Sequence, residues 1–206
     1  MDEQQLIRLY KDTGVILTGH FLLRSGRHSD TYINKDAIFS HPRTFHKTAR
    51  AIYYEILRTC RIDGNLVVTG PALAGAVLAA PISLYLDVTF VYPEKIEDKM
   101  VFRRGYDQKI PGKNVIVIED VITTGGSVQL TIDEVLRLGG TPSGVFAIWN
   151  RSGWQPKECG ITSLITELVA SWSPEECPLC QKGISLQDPK RLELMNLYDA
   201  IKKGMI

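Results

Sequence analysis

The chain has almost no excess of charge: over 206 residues, 24 lysines and arginines stand against 23 aspartates and glutamates, a formal net charge of +1. That excludes a histone-like or ribosomal tail, which holds polyanions through bulk charge. Cysteine is scarce as well. Cys60, Cys159, Cys177 and Cys180 are too few for a disulfide scaffold, and the opening MDEQQLIRLY has no basic stretch leading into an apolar core. Both point to a reducing, cytoplasmic home. A membrane span is also missing. The one stretch that could suggest it, residues 66–86, is uncharged but interrupted by Gly70, Pro71, Gly75 and Pro81, which suits a buried strand, a glycine loop and a core helix better. There is no internal repeat, low-complexity tract or Pro/Gly linker. What remains is ordinary globular composition, 44% hydrophobic and 23% charged, at a length suited to one domain.

The neutral total hides a partition: residues 1–113 carry +4, residues 114–180 carry −5, and residues 181–206 carry +2. Such segregation is compatible with a site walled by cations on one side and carboxylates on the other, or with chance spacing. A short helix is expected over 3–11, strands over 15–23 and 31–34, and between them turn chemistry in Ser25-Gly26-Arg27-His28-Ser29. Ser40 reads as the N-cap of a helix of about five turns with Pro42 in its first turn, since Phe45, Ala49, Ile52, Ile56, Leu57 and Cys60 recur at helical spacing. Strand, loop and helix then alternate: strands over 66–69, 88–92, 114–118 and 145–149, helices over 73–86 and 125–138, and a charged segment over 94–113. The β-branched run at 114–118 has no polar alternation, the mark of a strand buried on both faces. The fold expected is open α/β with a mostly parallel sheet.

The chemistry concentrates in Val115-Ile116-Val117-Ile118-Glu119-Asp120-Val121-Ile122-Thr123-Thr124-Gly125-Gly126-Ser127. A buried strand delivers two carboxylates to its C-terminal edge, where ligands of open α/β sheets bind. The loop that follows offers hydroxyls, backbone N–H groups and a helix start to a phosphate. Glu119 and Asp120 suit ribose hydroxyls or a hydrated cation instead. Together the two halves describe a site for a phosphorylated ribose. Neither a Walker loop nor a dinucleotide fingerprint fits, because no Gly-Lys-Ser/Thr follows and the acids precede the glycines.

This stretch resembles the signature of the type I phosphoribosyltransferases, and further segments are similar to the orotate branch of that family. Ser25-Gly26-Arg27-His28-Ser29-Asp30-Thr31-Tyr32 resembles its hood segment, Gly70-Pro71-Ala72-Leu73-Ala74-Gly75 its pyrophosphate loop, and Trp149-Asn150-Arg151-Ser152 the end of its base-contacting strand. The resemblance covers roughly residues 14–183. It implies the type I phosphoribosyltransferase fold as one domain, with a hood mainly over 14–40, a core over about 41–170 and a C-terminal CxxC and helix over 171–206. It implies transfer of a phosphoribosyl group from phosphoribosyl pyrophosphate (PRPP) to orotate, with Mg²⁺ held mainly through PRPP and water rather than by direct protein ligands. PRPP would be held by Glu119 and Asp120 at the ribose, by Val121, Ile122, Thr123, Thr124, Gly125, Gly126 and Ser127 at the 5-phosphate, and by Gly70, Pro71, Ala72 and Gly75 at the pyrophosphate. Arg24, counted among the PRPP-binding residues, would close over orotate together with the Tyr32-Ile33 backbone, and Tyr32, Ile33, Thr123 and Arg151 would contact orotate. A homodimer is implied, with a loop reaching the neighbouring site and no nucleic-acid or membrane partner.

The chain departs from the family pattern in its mobile loop, where an R-K-x-x-K-x-H run is usual and residues 92–100 read Tyr-Pro-Glu-Lys-Ile-Glu-Asp-Lys-Met. Ala74 stands where a lysine is common, and Asn150 where an acid precedes the arginine. Lys99, Arg103 and Arg104 are the basic residues expected to take the catalytic part, neutralising the departing pyrophosphate. A transferase for another base and a non-catalytic PRPP-sensing regulator are the alternative readings. Cys177 and Cys180 supply half of a zinc ribbon, but Cys60 and Cys159 are isolated and all four histidines lie far upstream, so spacing alone favours no zinc.

Overall fold

The computed structural model describes residues 1–23, 25–166 and 169–189. The expectation for Arg24 and the C-terminal helix expected beyond 189 lie outside the described residues.

Helix α1 (Glu3–Asp12) opens with a reciprocal cap: Asp2 Oδ1 accepts from the Gln5 N–H at 2.7 Å and Gln5 Oε1 from the Asp2 N–H at 3.1 Å. Strands β1 (Ile16–Leu22) and β2 (His28–Ile33) form an antiparallel hairpin. Helices α2 (Asp36–Ser40) and α3 (Pro42–Thr59) follow. Ser40 therefore closes α2 and does not cap α3; the cap position is His41, in extended backbone at φ −106° and ψ 99°. Proline disfavours the helical conformation at the residue before it and fits the first helical position itself.

Next come β3 (Leu66–Thr69), α4 (Ala74–Leu86) and β4 (Thr89–Phe90). The charged segment expected as a loop is a second hairpin, β5 (Pro93–Ile96) with β6 (Lys99–Phe102). Its alternation explains the order: Met100 and Phe102 are buried at 2% and 4% exposure while Lys99 and Arg103 face outward. The core strands are β7 (Asn114–Ile122), β8 (Thr141–Asn150) and β9 (Ile161–Ile165), with α5 (Gly126–Arg137) between the first two. A one-turn helix, α6 (Pro178–Gln181), carries the CxxC segment.

The main sheet has five parallel strands in the order β4-β3-β7-β8-β9. Side-chain parity sorts its two faces. Val68, Ile116, Ile118, Phe146 and Ile148 pack with α1, α3 and α4, whereas Val67 and Val115 join Val135 of α5 and the hairpin's Phe102, and Val117 and Val145 join Val128 and Ile132 of α5. Helices thus cover both faces, which is why these strands read as continuous apolar runs. Both β7 and β8 run beyond their expected bounds of 114–118 and 145–149. β7 continues past Ile118 through both carboxylates because β8 pairs beside it as far as Ile122↔Asn150, and β9 was not foreseen. No described helix is long and apolar enough to cross a membrane.

Candidate active site

Three adjacent parallel strands, β3, β7 and β8, end at the same edge, so the loops that follow them converge. They enclose a cleft of about 400 Å³, lined by Pro71–Ala74 after β3, Glu119–Val121, Thr123 and Ser127 of β7 and its loop, Arg151 after β8, and Ile33 and Lys35 from the hood. A small cavity of about 50 Å³ opens beside it between Glu119 and the first turn of α5, edged by Thr124, Gly125 and Gly126. Gly125 starts α5 without a side-chain cap, which leaves the N–H groups of that turn for an anion. A larger cavity of about 990 Å³ lies under the hood, lined by Thr31, Tyr32, Val169, Ser171 and Asp188 among others, and it shares Ile33, Thr123 and Arg151 with the cleft.

Close approach dictates three of the glycines. A Cβ on Gly70 would lie 2.5 Å from the Gly75 carbonyl, and one on Gly75 would lie 2.7 Å from the Ile118 oxygen and 3.2 Å from Glu119 Oε1. The loop after β3 is thereby pressed against the strand that bears the acids. Gly125 has φ +78°, and a Cβ there would meet the Trp154 ring at 2.2 Å. Trp154 is placed by Asn150, whose Nδ2 donates to its carbonyl at 2.8 Å. The residue that departs from the family pattern thus builds the turn packed over the loop that opens α5.

The carboxylates are buried, Glu119 at 8% and Asp120 at 3% exposure. Asp120 accepts from the Val121 N–H at 2.7 Å through Oδ1 and pairs with Lys35 Nζ at 2.9 Å through Oδ2. Glu119 Oε1 accepts from the Asp120 N–H at 3.0 Å. Burial first, and the neighbouring Asp120 charge second, raise the Glu119 carboxyl well above its ordinary value, with Lys35 opposing them. A ligand that brings hydroxyl donors and cations relieves that cost. Burial also lowers the pKa of the Arg151 guanidinium, so a carboxylate partner there would be bound out of water, where a charge-assisted fork is strongest.

Of the expected residues, the structure brings together Pro71, Ala72, Glu119, Asp120, Val121, Thr123, Ser127, Ile33 and Arg151 around the cleft, Ile122, Thr124, Gly125 and Gly126 around the small cavity, and Tyr32 in the hood cavity. Gly70 and Gly75 act from behind by permitting the loop's approach. Lys99, Arg103 and Arg104 line none of these spaces. The first two are exposed, and Arg104 is tied to Glu94 at 2.8 Å. Lys35 was missed, although it lies three residues past Tyr32, just beyond the strand that the hood motif marks. Leu73 and Ala74 lay within the expected pyrophosphate loop without being singled out, and the wall formed by residues 169–189 was missed, since only tertiary contact brings that wall over the sheet edge.

Residues 34–173 match the family described as Phosphoribosyl transferase domain. The orotate phosphoribosyltransferase of Thermoanaerobacter sp. (strain X514) is 37% identical over 190 residues, covering 92% of this chain and 97% of its own. That of Chlorobaculum parvum is 36% identical over 190 residues, covering 92% and 96%. Among solved structures, orotate phosphoribosyltransferase from Aeropyrum pernix has a TM-score of 0.59 at 22% identity over 93% of this chain and 98% of its own, a likeness of fold. The domain match runs through all three loops that build the cleft, and with relatives of this identity along nearly its whole length, the chain belongs to the orotate phosphoribosyltransferase family.

Proposed function

We propose that the protein transfers the 5-phosphoribosyl group of PRPP to a ring nitrogen of orotate, giving orotidine 5′-monophosphate and pyrophosphate. The observation that carries this reading is the shared wall: Thr123 and Arg151 border both the cleft and the hood cavity, so a sugar donor in one and a planar acid in the other would meet at the anomeric carbon. Glu119 and Asp120 take the ribose hydroxyls, residues 123–127 take the 5-phosphate on hydroxyls and the α5 N-terminus, and Gly70 to Gly75 lie along the pyrophosphate. Arg151 grips the orotate carboxylate. Arg24 retains the assignment that the family resemblance gives it.

Displacement at the anomeric carbon passes through oxocarbenium-like character while negative charge grows on pyrophosphate. Cations aimed at that leaving group lower the barrier, and no strong general base is required because orotate can present a deprotonated nitrogen. Magnesium suits the cleft's donor set, which is rich in oxygen. Asp120 already has one oxygen on the Val121 N–H and the other on Lys35, which favours Glu119 and Asp120 holding the ion through water and bound sugar, where it would supply charge neutralisation to the pyrophosphate. Lys99, Arg103 and Arg104 stand outside their own chain's cleft, and we assign them to the site of a second copy in a homodimer, closing over the leaving group and excluding water. We place the reaction in the cytoplasm, the reducing compartment that the scarcity of cysteine favours.

Orotate absorbance followed in the presence of PRPP and Mg²⁺, then repeated with uracil, hypoxanthine and xanthine, tests the reading. Turnover is expected with orotate alone. Turnover with another base in its place overturns the choice of acceptor, and PRPP binding with no turnover on any base makes the protein a sensor.

A further inference from the structure

Far apart in sequence, His20, His28, Cys177 and Cys180 meet: their ligand atoms all lie within 4.8 Å of one another. The expectation of half a zinc ribbon without partners therefore fails, because β1 and β2 supply the second pair. His20 Nε2 lies 3.2 Å from His28 Nδ1, 3.4 Å from Cys177 Sγ and 3.7 Å from Cys180 Sγ, and Cys180 Sγ lies 3.3 Å from His28 Nδ1. Ideal tetrahedral zinc, with bonds of about 2.0–2.1 Å to nitrogen and about 2.3 Å to sulfur, separates its ligands by about 3.3 Å for two nitrogens and about 3.6 Å for nitrogen and sulfur. The four observed separations fall close to these edges.

Hydrogen bonding alone does not satisfy the cluster. A backbone carbonyl only accepts, so His20 Nδ1, 2.7 Å from the Ile184 oxygen, carries the ring proton. Nε2 is left with a single lone pair, on which three atoms converge. A cation at the centre resolves the crowding, and the Nδ1–H···O=C bond is the outer contact that orients a ligating histidine. His20, His28 and Cys177 are buried and Cys180 is at the surface, giving an enclosed site with one exposed edge. We propose that these four side chains bind one structural zinc ion, a two-sulfur, two-nitrogen set that selects zinc among the common divalent ions. It clamps the β1–β2 hairpin to the C-terminal segment, alongside the backbone pairs of His28 with Trp172 and of Leu22 and His20 with Gln187. The hood cavity's roof is held by this clamp. The site is separate from the transfer chemistry and stands whether or not the acceptor is orotate.

The test is metal content of the full chain, freed of any histidine tag and purified under reduction without added metal or chelator. About one zinc per chain is expected, retained in Cys60→Ser and Cys159→Ser and lost in Cys180→Ser and His28→Gln. Cobalt exchange should give the intense visible bands of a tetrahedral thiolate complex. Chelation should expose two additional cysteines to a thiol reagent, a readout that needs no variant to fold. A wild-type chain with reduced thiols that takes up neither zinc nor cobalt, or a Cys177–Cys180 disulfide in the freshly reduced protein, overturns the site. So does Cys180→Ser with unchanged metal content.

Discussion

Two adjacent carboxylates held out of water beside one lysine make the cleft end of β7 electrostatically costly. Glu119 bears most of that cost. Its folded-state pKa is raised from 4.5 to about 8 by burial and by Asp120, so the folded chain holds a proton that the unfolded chain releases, and stability is lost as pH rises through that window. Glu119→Gln removes the penalty. Its thermal midpoint should match the wild type near pH 5 and exceed it increasingly toward pH 8, at roughly 2–4 °C for each kcal/mol relieved, as scanning calorimetry across that range would show. The same variant should lose about 10- to 100-fold in kcat/KM for PRPP, the worth of charge-assisted hydrogen bonds to a ribose. A variant destabilised at high pH contradicts this picture. The acids were legible in the sequence because a β-branched run leads into them and a hydroxyl–glycine loop follows. Lys35 was not legible, since a lysine just beyond a strand has no local mark, and only the fold puts its Nζ 2.9 Å from Asp120.

At the scale of elements, the alternation of strand and helix was readable from β3 to β8, while strand ends and the edge strand β9 were not. β7 and β8 are lengthened by each other, a gain that belongs to the ladder and leaves no trace in either segment alone. The β5–β6 hairpin shows a different failure: the charge density over 94–113 and the place of the family's mobile loop at 92–100 suggested no strands, and the two inward residues Met100 and Phe102 were outvoted by their neighbours. That hairpin presents Lys99 and Arg103 to solvent without an ion pair among the described residues. If they serve a second copy, Lys99→Ala and Arg103→Ala should each lower kcat by about 10- to 100-fold with the thermal midpoint nearly unchanged. Complementation reads the direction of reach. Re-equilibrating Arg103→Ala with Asp120→Asn in equal amounts should restore about a quarter of wild-type activity, since half the dimers are mixed and each has one intact site. Activity that stays at the level of the parents places the hairpin's action within its own chain.

For the whole molecule, the near-zero net charge excluded a bulk polyanion binder and left room for a small, dense polyanion, which is the ligand this cleft suits. Its partition survives in three dimensions only in part. The acidic pair faces the cleft, whereas the basic segment upstream lies away from it, which is why a second copy enters the account. Sequence order concealed one further arrangement: His20 and His28 sit more than 140 residues from Cys177 and Cys180, and the hood closes that distance by resting on the C-terminal segment. The junction of the cleft and the hood cavity is the place where the proposed chemistry stands or falls, and Arg151 borders both. Steady-state kinetics of Arg151→Ala beside the wild type, with orotate and PRPP varied separately, address it directly. The wild type should form orotidine 5′-monophosphate and pyrophosphate in equal amounts, and the variant should raise KM for orotate by about 10- to 100-fold while PRPP affinity moves less than about threefold. An unchanged KM for orotate, or a loss of PRPP binding as large as the loss for orotate, would contradict the shared-wall geometry.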